Sequence, residues 1–337
     1  MVGYLALSEH GDVLHTGPVG GRRTEVMIAD TSYKSFYDVR HPPFGLGLDP
    51  HFLYLAHSHR AALDLLERGV HEQQPVMLLT GEVGTGKTTL VHVLRHELRD
   101  RVDVACVVHP LPIVAGVVAT IMNALGAVPT ASRKADLFAE LASVVAARRA
   151  RGRPVLLVVD EAQALSPGVL AELCAVSELM PLLLVGQPEL ETCLALPELA
   201  RLQQRVTVRA TLTSLTRLET KLYLEHRLRA VGAPPDFQFP AGAVDRIFER
   251  SGGVPRMINH LGHATLLAGS ATRTRRLTPE IVDQGYKQFV SLDTPPRGTA
   301  RSWDTQRLSR TAQLTVLVVL TGLLAVALTV VPRGLLP

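Results

Sequence analysis

The sequence predicts an α/β fold: a parallel sheet covered by helices on both faces, followed by a smaller helical domain. Three observations predict it. Four short runs rich in Val and Leu, at residues 76–80, 104–109, 155–160 and 182–186, are apolar almost throughout, as strands are when helices cover both faces. A Gly-rich stretch ending in Gly-Lys-Thr follows the first run directly. After about Thr211 the strand signals stop, and four helical segments follow at 215–231, 241–250, 255–271 and 279–289.

Residues 1–32 are Gly-rich and polar, without the basic-then-apolar pattern of a secretory signal, and read as a loose extension or a misassigned start. Residues 33–210 hold the strands and the helices between them. These include helical spacing at 57–69 and an Ala/Arg/Leu helix at 133–151 that Gly152 and Pro154 end. Residues 211–291 make the helical domain, whose last helix has Thr278 as N-cap and Pro279 at its first turn. Residues 292–310 form a basic linker broken by Pro295, Pro296 and Gly298. From 311 to 332 no residue is charged, and 314–331 is almost wholly apolar. A helix of about 18–21 such residues spans roughly 27–31 Å, one bilayer core. The tail 333–337 follows. Arg297, Arg301, Arg307 and Arg310 precede the apolar stretch against Asp304, and Arg333 follows it. The bias places the N-terminal side in the cytoplasm. A buried core helix is the alternative for this segment.

The 337 residues suffice for about two domains. Hydrophobic residues are 47% and aromatics 4%, so the core must be built from Val, Leu and Ala, and a disordered chain is excluded. A formal charge of +4 permits contact with phosphates or anionic lipid without predicting nucleic-acid binding. Cys106, Cys174 and Cys193 have no CxxC spacing and read as reduced core thiols rather than metal ligands.

Gly81-Glu82-Val83-Gly84-Thr85-Gly86-Lys87-Thr88-Thr89 fits G-x-x-x-x-G-K-[ST]. The context is right: a strand precedes the loop and a helix at 90–98 follows it. Glycines let backbone N–H groups curl around a β-phosphate, where a Cβ would block approach. Lys87 would neutralise charge on the β/γ-phosphates of ATP, and Thr88 would offer its hydroxyl to Mg²⁺. The run at 155–160 ends in Asp160, followed by Glu161. A carboxylate there, beside the phosphate loop, suits Mg²⁺ and its waters, so Asp160 is the metal-side residue. Glu161 is the candidate base that polarises the attacking water. Gln187, just past the fourth run, would lie between the ends of the first and third strands, where it orients water or senses hydrolysis; a satisfied loop amide is the alternative. Arg201 and Arg205, four apart, would share one helix face. Guanidinium suits a γ-phosphate reached from a neighbouring subunit, and a solvated basic face is the alternative. Gly252-Gly-Val-Pro-Arg256 opens a helix of the second domain and would aim Arg256 at the phosphates. The histidines show no H-E-x-x-H or H-x-x-E-H spacing, so Mg²⁺ held with the nucleotide is the metal expected.

Together these residues resemble the AAA+ ATPases of the general secretion pathway protein A (ExeA/GspA) type. The resemblance covers roughly residues 33–289. It is carried by PFGLGLDPHFLYLAHSHRAAL, TGEVGTGKTTL, LLVVDEAQALS, LLLVGQPEL, LARLQQRV and SGGVPRMINHL. It implies ATP hydrolysis, a helical lid after the core and an inner-membrane helix behind it. It also implies that Gln187 fills the sensor-1 position and Arg256 the sensor-2 position. Arg201 or Arg205 would be the arginine finger of a homo-oligomer, with Arg201 preferred. Two departures stand out. The connection before LLLVGQPEL is shorter than in relatives. Relatives also continue past the membrane helix into a peptidoglycan-binding domain, which residues 333–337 cannot supply, so cell-wall binding is not carried over.

The leading expectation is a membrane-anchored ATPase of the bacterial inner membrane, single-pass with its ATPase domain in the cytoplasm. It would support assembly of an envelope secretion (type II) or pilus-like system. A DNA-associated ATPase of the transposition target-selection type shares the same motifs. A nucleotide-gated scaffold with little turnover is the third reading.

Overall fold

Side chains alternate across a strand, so a strand apolar at every position requires cover on both faces. The computed structural model describes residues 33–45, 47, 50–108, 114–131 and 133–293, and it shows that cover. In chain order the helices of the first part are α1 (Lys34–Tyr37), α2 (His57–His71), α3 (Lys87–Leu98), α4 (Val114–Ala124), α5 (Lys134–Ala150), α6 (Pro167–Leu179), α7 (Glu189–Leu194) and α8 (Ala200–Arg205). Strands β1 (Val76–Gly81), β2 (Asp103–Val107), β3 (Val155–Val159), β4 (Leu182–Gly186) and β5 (Val206–Leu212) form one parallel sheet in the order β2-β3-β4-β1-β5. Val76, Leu78, Leu157, Val159, Leu182 and Leu184 face α4, α5 and α6. The alternate residues Met77, Leu79, Leu156, Val158, Leu183 and Val185 face α2 and α3. Each leucine so buried contributes about 1.5–3 kcal/mol.

The fifth strand is a finding beyond the four apolar runs. Its sequence, Val-Thr-Val-Arg-Ala-Thr-Leu, alternates, with Thr207, Arg209 and Thr211 exposed and Val208, Ala210 and Leu212 buried. It lies at the sheet edge beside β1, with one face toward solvent, and therefore lacks a continuous apolar run. The short connection before β4 is likewise tight: Met180 and Pro181 alone separate α6 from β4.

The helical domain comprises α9 (Arg217–Ala230), α10 (Ala241–Ser251), α11 (Pro255–Ala271) and α12 (Pro279–Asp293), within a few residues of the expected segments. A capping box starts α9. Thr216 Oγ1 accepts from the Glu219 N–H at 3.2 Å, and Glu219 Oε2 accepts from the Thr216 N–H at 2.9 Å.

One boundary differs from the sequence reading, which grouped 33–210 as the core. Tyr33, Tyr37, Val39, Phe44 and Ala56 share an apolar cluster with Leu224, Leu228, Ile258 and Leu261 of the helical domain. Phe44 sits in the hollow over Gly262, where a Cβ would come within 2.9 Å of the ring. The buried Arg227 donates to Pro43 O at 2.6 Å and lies 4.5 Å from the centre of the Phe52 ring. The described residues of 33–45 and 50–56 thus form a strap packed on the lid, and the chain enters the α/β core at α2.

The expected membrane helix, 311–332, and the extension 1–32 lie outside the described residues. Among the described residues no helix is long and apolar enough to cross a membrane.

Candidate functional site

The loop after β1 turns back through two left-handed glycines, Gly84 at φ 82 and Gly86 at φ 100. Neither position has room for a side chain. A Cβ on Gly84 would meet the Arg256 Cβ at 2.8 Å, and one on Gly86 would meet His59 Nε2 at 3.0 Å. Gly86 is the N-cap of α3 and no side chain caps that end, which leaves a helix N-terminus with the polarity to take an anion. Lys87, the first residue of α3, is 6% exposed. Its Nζ donates to Gly81 O at 2.7 Å and to Glu82 O at 3.0 Å. Burial pulls the Lys87 pKa down, while Glu161 and Asp160 beside it push it back up.

The strand order places the acids. β4 lies between β1 and β3, so the ends of all three open on one cleft. Thr88 Oγ1 donates to Asp160 Oδ2 at 2.8 Å, and the Glu161 N–H donates to Asp160 Oδ1 at 2.9 Å. The hydroxyl and carboxylate expected to share Mg²⁺ are therefore already in contact across 72 residues of sequence. With the glycine cradle, this hard-oxygen pair fits a magnesium nucleotide. Among the described residues no cluster of three His, Cys, Asp or Glu side chains offers another metal site.

Gln187 directly follows β4, the strand that lies between β1 and β3. Arg256 opens α11, and its N–H donates to Gly84 O at 3.2 Å, which puts the lid directly against the phosphate loop. The structure separates the two candidate finger arginines. Arg205 Nε donates to Ser177 Oγ at 2.9 Å and Nη2 to Ser177 O at 3.0 Å, so it is tied to α6 of its own subunit. The Arg201 side chain is 85% exposed, with Glu178 at 3.8 Å. Of the pair, Arg201 is the exposed one and Arg205 is held by its own fold.

Two contacts at the site were not anticipated. His59 of α2 lies beneath the loop with Nε2 2.9 Å from Thr85 O. Gln163 bonds Glu161 and the backbone of Gln187. Gln163 lies in the quoted LLVVDEAQALS motif, two residues past Glu161, and that proximity was the available signal. His59 gave none, because its contact depends on how α2 packs on β1 and β5. Of the three cysteines only Cys174 is buried, and Cys106 and Cys193 are half-buried at the edge of the core; burial raises the Cys106 and Cys193 thiols.

Residues 70–194 match the AAA domain. Over 254 residues, 73% of this chain, the sequence is 33% identical to general secretion pathway protein A of Aeromonas hydrophila, of whose length that region is 46%. The chain thus spans about half the length of that relative. In fold it is similar to Cdc6p of Pyrobaculum aerophilum, with a TM-score of 0.58 at 17% identity, covering 73% of this chain and 70% of that one. It is also similar to the ORC2 protein of Aeropyrum pernix, with a TM-score of 0.56 at 17% identity, covering 74% and 71%. Residues 70–194 thus carry an AAA domain, and over 73% of its length the chain is similar to a general secretion pathway protein A (ExeA/GspA).

Proposed function

We propose that this chain is an ATPase that hydrolyses ATP to drive or gate assembly of an envelope secretion or pilus-like system, anchored in the inner membrane by residues 311–332. The observation that carries the hydrolytic part is the meeting of Thr88, Asp160 and Glu161 at the mouth of the glycine loop. Mg²⁺ bound with the nucleotide would supply charge neutralisation at the β- and γ-phosphates. Of the chain's own groups, Lys87 binds the phosphates once it leaves the Gly81 and Glu82 carbonyls. Thr88 and Asp160 would hold the metal, and Glu161 would take up the proton of the attacking water. Gln187 orients that water from the end of β4, and Arg256 contacts the phosphates from the lid side. Arg201 of a neighbouring copy completes the site in a homo-oligomer.

The envelope role is supported by the similarity to general secretion pathway protein A, and the anchor by the apolar stretch 314–331 behind an Arg-rich linker. The test compares the full chain with one ending at Arg310, by membrane fractionation and carbonate extraction, with ATP turnover measured on both. The full chain should stay with the membrane and the truncated one should be soluble and active. A soluble full chain, or a truncation that unfolds the ATPase, contradicts the anchor. Turnover that rises with duplex DNA and falls steeply with salt would replace the envelope role by a DNA-associated one.

A further inference from the structure

Gln163 lies in the 3-10 turn Ala162–Ala164 that follows β3. Ala162 and Leu165, both buried in the core, pin this turn from below, which fixes where the Gln163 side chain starts. One end of its amide, Nε2, donates to Oε2 of the Glu161 carboxylate. The other end, Oε1, accepts the backbone N–H of Gln187 at 3.1 Å. This amide orientation satisfies both partners, since a carboxylate only accepts and a backbone N–H only donates. The carbonyl packs closely over Gly186, where a Cβ would come within 2.7 Å of Oε1. Glu161 itself has φ 54 and ψ 38, a left-handed backbone that is strained for a residue with a side chain. Its N–H is held by Asp160. Backbone and carboxylate of Glu161 are thus each fixed by a separate partner.

We propose that Gln163 is a positioning residue, one that ties the Glu161 carboxylate at the end of β3 to the Gln187 backbone at the end of β4. The inference rests on the reading of Glu161 as the base. A carboxylate at a strand end can turn among rotamers, and a base works only within hydrogen-bond reach of the water it polarises. A misplacement of about 1 Å can cost on the order of 10²-fold in rate. The Gln163 amide removes that freedom and makes the base follow any shift of the β4 end. Both of its bonds are made to protein groups other than the phosphate loop, so nucleotide binding does not depend on it.

The test measures Mg·ATP hydrolysis and binding of a fluorescent ATP analogue by the full chain. Wild type is compared with Gln163→Ala, Gln163→Met, Glu161→Gln and the Glu161→Gln/Gln163→Met double variant. Met fills the volume of Gln but has neither hydrogen-bonding end. Turnover should fall about 10–100-fold in both single Gln163 variants, with KM and analogue affinity within about twofold of wild type. In the Glu161→Gln background the Met substitution should have no further effect, because the two residues act as one unit. A packing role predicts instead that Met restores what Ala loses. Wild-type turnover in Gln163→Met, or its full additional loss in the Glu161→Gln background, overturns this inference and leaves the base assignment standing. Absence of turnover in the wild type, or wild-type turnover in Glu161→Gln, overturns the base reading and this inference with it. If Gln163→Met does not fold, Gln163→Glu keeps the acceptor for Gln187 and sets a like charge against Glu161, with the same expectation for turnover.

Discussion

His59 is 5% exposed beneath the phosphate loop, and its Nδ1 has no hydrogen-bond partner among the described residues. Burial holds its pKa below the ordinary histidine value, against the opposing pulls of the Thr85 carbonyl and Glu219. Burial lowers His92 as well, helped by Arg95, and His226, helped by Arg227 and Arg229. For each, the folded pKa is the lower one, so the unfolded chain takes up the proton first as pH drops. The stability they confer is complete above about pH 6.5 and is lost progressively below it. Thermal melts between about pH 8 and pH 5 should show Tm falling on the acid side, and His59→Leu should reduce that slope. A melt unchanged by pH, or the same slope in the variant, contradicts this. At this scale the sequence disclosed the residues whose type and spacing encode a job: Lys87 and Thr88 in the glycine loop, Asp160 and Glu161 at a strand end. It did not disclose His59 and Gln163, whose roles depend on which backbone groups the fold brings beside them.

Helices and strands followed the same logic. The strands buried on both faces and the lid helices were legible, because apolar continuity and 3.6-residue spacing are local properties of the chain. β5 was not, because an edge strand needs only every second residue apolar. The strap at 33–56 was not either, since its aromatics follow no period and gain their place from α9 and α11. Its docking gives a sharp expectation. Phe44 is fully buried against Gly262 and Phe239, so Phe44→Ala should cost about 3–5 kcal/mol of lid stability. Hydrogen exchange should quicken across α11 while β1, β3 and β4 stay protected. Uniform loss of protection, or none, would show that the strap belongs to the core instead.

Among the described residues the lid meets the nucleotide loop at Gly84, where the Arg256 N–H donates to Gly84 O and the Val254 and Arg256 side chains pack close by, and the Arg201 side chain is exposed. Arg205 is tied to Ser177, so the proposed finger in trans falls to Arg201. Turnover per subunit should therefore rise with protein concentration, and Arg201→Ala should lower it by about 10³–10⁵-fold and poison mixed assemblies. Arg205→Ala should act through stability. Turnover proportional to enzyme at every concentration contradicts a finger in trans. The central claim is that one cleft, with Lys87 on one side and Glu161 on the other, binds and hydrolyses Mg·ATP. It is tested most directly by measuring ATP binding and phosphate release in parallel on wild type, Lys87→Ala and Glu161→Gln. Lys87→Ala should fail to bind, and Glu161→Gln should bind as wild type does while releasing phosphate about 10²–10⁴-fold more slowly. Unchanged affinity in folded Lys87→Ala, or unchanged phosphate release in Glu161→Gln, would contradict it.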